Sequence, residues 1–400
     1  MTSTASLTVP AAPSARVLDR LAMAALVAFV ASVQLSIALA SIFLTLTMIC
    51  WVAVMVRHRV RPSAPGAFIL LAVYAAATLV SSAFSLDPEA SIADCKQLVL
   101  FGVVPVVYEL ARGRRANQVI DVIISVGAAS AAFGIIQYAV LHYDNLGQRP
   151  QGTLTHYMTY SGVLMLVVCA ALARVVFGAR EGKTWPALVL PALIVALSLT
   201  LGRSAWVGTC AAVGLVLGLR DFRLTALLPL VIAALFALAP DTVTSRMMSM
   251  FDLRDPSNRD RVAMLRTGVA MVEARPLTGV GPNQVPRAYP TYRSPDAVEA
   301  VNPHLHNVPM QIAAERGLPA VAIWLGFIAM LAAALYRLFR SAADTSARIL
   351  PATGLAAVAA MLAAGMFEYN FGDSEFLMLF LVLVTLPFAA IRTDDHADRI

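Results

Sequence analysis

Charge is what this sequence has least of. Of its 400 residues, 14% are charged and 59% are hydrophobic. A soluble fold carries about 25% charged and about 45–50% apolar residues. So little charge cannot cover a wetted surface, which excludes a cytosolic enzyme, a disordered tail protein and a DNA-binding domain. A bilayer-embedded chain is left. Cysteine is scarce as well. Cys50, Cys95, Cys169 and Cys210 show no metal-type spacing, and three of them lie in apolar runs, so they read as small buried side chains. No Gly-x-x-x-x-Gly-Lys phosphate loop exists, so nucleotide hydrolysis has no support. The net charge of +6 is a matter of membrane orientation, and no nucleic-acid partner is expected.

Long apolar runs are what the chain has instead. They fall at roughly 20–34, 37–56, 66–84, 96–111, 119–141, 160–178, 186–201, 204–219, 224–239, 317–338, 349–371 and 375–391. A spanning helix needs about 20 mostly apolar residues. The runs predict an all-α polytopic membrane protein of about twelve transmembrane helices. The polar start lacks a tidy cleavage site after a short core, so the first run reads as an uncleaved helix. Basic clusters then set the topology. Arg57, Arg59 and Arg61 follow run two, and Arg112, Arg114 and Arg115 follow run four. Arg174, Arg180 and Lys183 follow run six, Arg220 and Arg223 run eight, and Arg337, Arg340 and Arg348 run ten. Every cluster follows an even-numbered run, which puts those loops and both termini in the cytoplasm. The expected organisation is a cytoplasmic tail (1–19), helices one to nine (20–239), a periplasmic loop (240–316), helices ten to twelve (317–391) and a second cytoplasmic tail (392–400).

The long loop carries its own pattern. Ser257-Asn-Arg-Asp260 reads as a variant capping box, and Val262, Leu265, Val269 and Val272 recur at helical spacing. They predict an amphipathic helix on the outer surface. Gly279-Val-Gly281 reads as a turn. Asn302-Pro303 is expected to start a second helix.

Sorted by side, the unusual polar residues gather outside: Arg149, His156, Arg203, Arg259, Arg261, Arg266, His304, His306, Asp373 and Glu375. Arg203 sits between two apolar runs. An arginine snorkelling to headgroups would explain it. Against that, the positive-inside bias does not place arginine there, and a guanidinium pairs bidentately with phosphate. The loop arginines also fit a solvated helix face, with Asp252, Asp255 and Asp260 near enough to pair. His304 and His306 are two apart, so they would not share a helix face. That disfavours a two-histidine metal site and leaves either a capping role or, for His306, a general base. No convincing Asp-x-Asp for a bridging metal occurs outside, so neither metal nor cofactor is expected. A transporter should carry ionisable groups at midplane. Here Glu109, Asp121 and Glu368 fall near run ends, which favours chemistry at the outer face over passage, with transport as the rival.

These residues carry a family likeness. The chain resembles the bacterial O-antigen ligases, relatives of the O-antigen polymerases. The likeness lies in Arg149 with Gly152-Thr-Leu-Thr-His156, in Gly202-Arg-Ser-Ala-Trp206, in Ser257-Asn-Arg-Asp-Arg261 through Pro276-Leu-Thr-Gly-Val-Gly281, and in His304-Leu-His-Asn307 with Gln311, Glu315 and Gly317. His306, Asn307 and Gly317 keep the family spacing, and Phe367–Asp373 resembles its last outer turn. Leu265 stands where family members often have an aromatic, so Arg259 and Arg266 stay open beside Arg261. The resemblance implies a GT-C-like enzyme of the bacterial inner membrane with a periplasmic active site. It implies metal-independent, inverting transfer of a glycan from an undecaprenyl-diphosphate-linked donor to a lipid A–core acceptor, in lipopolysaccharide biosynthesis. His306, Arg203 and Arg261 are then expected to be catalytic. Arg149, His156, Arg266, His304, Asn307 and Gln311 are expected to bind or position substrate, with membrane lipids around them. An O-antigen polymerase, a protein O-oligosaccharyltransferase and a lipid-linked glycan flippase are the alternatives.

Overall fold

The computed structural model describes residues 13–142, 149–252 and 254–392. The ends of both expected tails, 1–12 and 393–400, lie outside the described residues. Among the described residues all regular structure is helical. The helices are α1 (Pro13–Ser32), α2 (Ile37–His58), α3 (Ile69–Ala83), α4 (Pro88–Asp94), α5 (Val103–Leu110), α6 (Arg114–Ala139), α7 (Tyr157–Phe177) and α8 (Thr184–Leu199). There follow α9 (Arg203–Arg220), α10 (Leu227–Leu238), α11 (Asp241–Met248), α12 (Pro256–Ala274), α13 (Val285–Tyr292), α14 (Val308–Ser341), α15 (Ile349–Gly365) and α16 (Ser374–Ala390).

Each apolar run falls on helix, and the chain is an all-helical, multi-pass membrane protein. Eight helical spans are long and apolar enough to cross a bilayer by length and composition. The runs on α1, α9, α10 and α16 lie outside those eight, and α16 is a shorter apolar helix. α16 nevertheless sits at the centre of the bundle, buried almost all round, as α7 is. A helix apolar on every face fits only there. In lipid the hydrophobic effect does not hold helices together, so close approach must. Gly208 of α9 shows it. A Cβ there would lie 2.7 Å from the Ala360 carbonyl of α15 and 2.3 Å from Met165 Sδ of α7.

The helices run between two chemically distinct ends. At one end Arg392, beyond α16, pairs with Glu109, which also bonds Ser63 and Arg112. Arg174 pairs with Asp121 and donates to Asn117 at 2.9 Å. The start of α9, the end of α15 and the start of α16 lie at the other end, with the candidate site.

Four local expectations change. The run at 96–111 is not one α-helix. Asp87 caps a helix that starts at Pro88, and the path continues through a 3-10 stretch, Cys95–Gly102, into α5. The run at 349–371 stops being α-helix at Gly365, and Phe371 is buried on a separate 3-10 turn, Asn370–Gly372. The cap of α12 is Asp255, whose carboxylate accepts from Asn258 N–H at 3.1 Å with Pro256 in the first position. Ser257 is thereby free to do something else. The helix after His306 starts at Val308, capped by Asn307 rather than Asn302. Asn302 instead donates to Asp260 at 3.2 Å and to Tyr289 at 3.0 Å.

The apolar stripe of α12 also faces the other way. Val262, Leu265 and Val269 are exposed, and the buried face carries Asp260, Ala263, Met264, Thr267, Gly268 and Met271. Small residues let that face press close: a Cβ on Gly268 would meet Met310 at 2.5 Å. Two glycines tie the 240–316 segment to the bundle. Gly279 and Gly317 both have positive φ, 68° and 82°. The backbones cross there, with Val280 N–H donating to Ala314 O at 2.8 Å and Leu318 N–H to Pro276 O at 2.8 Å. A side chain on either glycine would strike the other strand of backbone within 2.3 Å. Gly317 is therefore a break inside α14 rather than the end of a helix. The boundary expected at 316/317 falls on that kink.

Candidate active site

The loop ahead of α14 brings His304 and His306 together because it is not helical. His306 has φ 47°, a left-handed turn that folds its ring back. The two imidazole centroids lie 4.1 Å apart at 73°. The argument that two histidines so spaced cannot share a face assumed a helix, and the loop removes that premise. Gln311 fixes the loop: its carbonyl oxygen accepts from Leu305 N–H at 2.7 Å, and its amide donates to Glu315 at 2.8 Å. Asn307 is both cap, accepting from Met310 N–H at 2.9 Å, and tether, donating to Met366 O at 3.0 Å. Gln311 and Asn307 are buried, 1% and 5% exposed, and these hydrogen bonds fix the shape of the loop.

Glu368 completes the group. Its carboxylate lies 2.9 Å from His306 Nδ1 and 3.8 Å from His304 Nε2, and it accepts from Tyr369 N–H at 3.0 Å. Burial alone would raise this carboxyl. The two histidines and the Tyr369 N–H overcome that and hold it down at about 2. Burial lowers His304 to about 4, more than Glu368 offsets, so its ring is neutral near pH 7. A charged Glu368 requires the proton of His306 to sit on Nδ1, which leaves Nε2 a free acceptor. Together His304, His306 and Glu368 offer ligand atoms within 4.8 Å of one another, a spacing that also suits a divalent cation. The Nδ1–carboxylate hydrogen bond satisfies two of those atoms without one.

The arginines form the facing wall. Arg203, buried at the start of α9, donates from Nη2 to Ser257 at 2.8 Å and from Nη1 to Ser249 at 3.3 Å, and lies 3.5 Å from Asp255. Freed from capping, Ser257 serves this arginine. Arg149 stacks on Tyr157, its Cζ 4.7 Å from the ring centre. Arg246, on α11, lies within electrostatic range of Arg203 and Arg149. Arg261, on α12, lies within electrostatic range of Glu368, Arg246, Tyr157 and Asp255. Burial first, then neighbouring cations, lowers both Arg246 and Arg261 from the ordinary arginine value. Among the described residues only Asp255 forms an ion pair with any of these four arginines. Arg149 and Arg246 each keep a buried Nε without an acceptor. Four guanidinium groups sharing one paired carboxylate make a site for a polyanion.

Arg266 does not join them. It points away on α12, 61% exposed and paired with Asp296. Arg259 is exposed also. Of the three loop arginines left open, Arg261 is the one at the site. His156 caps α7, its Nδ1 accepting from Met158 N–H at 3.2 Å, and its ring lines a cavity of about 340 Å³ with His304, Glu368 and Asp373. Asp373, which burial raises above the usual carboxylate range, accepts from Thr159 and from Phe376 N–H. Sequence reasoning missed Glu368 and Arg246. Glu368 was passed over at the end of an apolar run. Arg246 lies on the outer side where the topology rule asks for no cation, the same signal that singled out Arg203.

Residues 186–325 match the family model described as O-antigen ligase. That span holds Arg203, Arg246, Arg261, His304 and His306. Over it the chain is similar to ligase- and polymerase-type membrane enzymes. A solved structure described as "Structural coordination of polymerization and crosslinking by a peptidoglycan synthase complex" contains a chain 18% identical to this one. The match covers 84% of this chain and 97% of that one, with a TM-score of 0.47. No curated protein matches this chain.

Proposed function

We propose that this protein is an O-antigen ligase, transferring a preassembled glycan from undecaprenyl diphosphate to a sugar of lipid A–core at the periplasmic face of the inner membrane. The observation that carries the reading is the His306–Glu368 pair set beside four arginines with a single paired carboxylate. The acceptor hydroxyl gives its proton to His306 Nε2 as its oxygen bonds to the anomeric carbon. The bond from that carbon to the diphosphate oxygen breaks, and the electron pair leaves with the diphosphate. Attack opposite the leaving group inverts the anomeric centre. Glu368 stabilises the imidazolium, and Arg203 and Arg261, with Arg149 and Arg246, meet the charge that grows on the leaving oxygen. No step calls for a metal, because the arginines supply the cationic charge.

The test uses purified protein, lipid-linked glycan and lipid A–core with chelator present. Ligated product is expected, and its loss is expected in His306→Ala. Folded protein that forms none refutes the ligase reading. Elongation of a second lipid-linked glycan, with lipid A–core left unmodified, would make the protein a polymerase instead. Movement of the donor across the bilayer that does not depend on His306 would make it a transporter.

A further inference from the structure

A second cavity, of about 320 Å³, lies between α14 and α15. Val308 and Pro309 line it from the first half of α14, Trp324 and Leu325 from the second, Ala363 from α15, and Met366 from just beyond its end. The break at Gly317 makes this possible, because it turns the two halves of α14 so that residues sixteen apart share one space. No charged side chain lines it. Leu325 and Met366 are 49% and 51% exposed, so the cavity opens at the apolar surface of the bundle, while Trp324 is fully buried. Its rim is joined directly to the catalytic group. Val308 is two residues after His306, Met366 is two before Glu368, and Asn307 clamps the two together through the Met366 carbonyl at 3.0 Å.

We infer that this cavity holds the first isoprene units of the polyprenyl tail of the donor. The inference rests on the ligase reading and extends it. The deciding consideration is how far each substrate keeps its lipid from its reacting atom. In the donor, the prenyl chain is bonded straight to the diphosphate that leaves the anomeric carbon. Its first carbons must therefore lie within a few bonds of the anomeric carbon. In a lipid A–core acceptor, the sugars of the core stand between the acyl chains and the accepting hydroxyl. Only the donor needs an apolar slot at the edge of the catalytic group. The arginines bind one end of the diphosphate–lipid, and the slot receives the other. Tail burial contributes little affinity against a lipid surround, which is as apolar as the slot. Its effect is to fix the angle at which the diphosphate enters.

Photocrosslinking tests this. A polyprenyl diphosphate carrying a diazirine in its second isoprene unit is added to the full-length protein in nanodiscs and irradiated. Labelling is expected on peptides holding Trp324–Leu325 and Ala363–Met366, and unlabelled polyprenyl diphosphate should suppress it where added phosphatidylglycerol does not. Label elsewhere, or equal displacement by phosphatidylglycerol, overturns the inference. The labelling needs no transfer, so a labelled slot in a protein that ligates nothing keeps the slot and refutes the ligase reading. Product formation with the label elsewhere does the reverse. Filling the slot with Ala363→Trp should lower kcat for the long-tailed donor about tenfold by misdirecting the diphosphate, with KM moving less. A kcat within twofold of the parent in a folded Ala363→Trp protein also overturns the inference.

Discussion

Replacing Glu368 with glutamine separates charge from geometry at His306, the base of the proposed reaction. The amide oxygen can still accept the Nδ1 proton of His306, and the side chain keeps its size. What disappears is the negative charge 2.9 Å from the imidazole. Opposite unit charges about 4 Å apart attract by about 4 kcal/mol at an effective dielectric of about 20. The two side chains are only 15% and 13% exposed, so solvent screens the pair weakly. Allowing for reorientation of nearby dipoles, about 3 kcal/mol of the stabilisation of His306 as it takes a proton should be lost. That is a fall in kcat of about 10²-fold. The donor KM should move by less than about threefold, because the diphosphate rests on the arginines. Initial rates of glycan transfer at saturating donor and acceptor measure both. A Glu368→Gln protein with kcat within about threefold of the parent would refute the role given to Glu368. It would also return His306 to the rank of an unassisted base.

Three further outcomes follow from the same geometry. Arg246→Gln should lower kcat/KM for the donor by about 10-fold to 10²-fold, the effect of one charge-assisted contact, whereas Arg266→Gln should leave it within about twofold. Equal effects on transfer would show that exposure does not separate the two. Gly317→Ala should cost about 3 kcal/mol or more, because φ 82° strains alanine and its Cβ would lie 2.2 Å from the Leu277 carbonyl. A thermal melt in detergent reads this, and an unchanged midpoint would contradict the described crossing of the two backbones. Chelator should leave transfer unchanged, whereas added Zn²⁺ should inhibit it reversibly by occupying His304, His306 and Glu368. Loss of activity on chelation, restored by metal, would make that group a metal centre.

Much of this was readable in the sequence, and the parts that were not have specific reasons. Apolar runs placed the helices because spanning segments leave composition little freedom. Positive clusters sorted the polar residues by side, and of those sorted outside Arg149, Arg203, Arg261, His304 and His306 come to the same end of the bundle, whereas Arg259 and Arg266 stay exposed. Sorting by side cannot say which residues touch. Arg261 and Arg266 stand five apart on one helix, so α12 sends one inward and the other to Asp296. Asn307 and Gln311 sit beside the histidines, and what the sequence does not show is that they also hold the loop, Gln311 between Leu305 and Glu315 and Asn307 against Met366. Glu368 stands in the outer turn that the sequence marks, but its partner is 62 positions away, so the pairing could not be read. Caps were misassigned by a few residues wherever two polar candidates lay close together, as with Asp255 and Ser257.

The arginine wall has a consequence for the end of the reaction. A group of cations that meets charge as it develops on the leaving diphosphate meets the same charge after the bond has broken, and then in full. On the proposed reading, Asp255 is, among the described residues, the one ion-paired carboxylate among the four arginines that competes for the spent carrier. Undecaprenyl diphosphate should then linger as a tightly held product, and its departure, rather than the sugar transfer, should set the pace of each turnover.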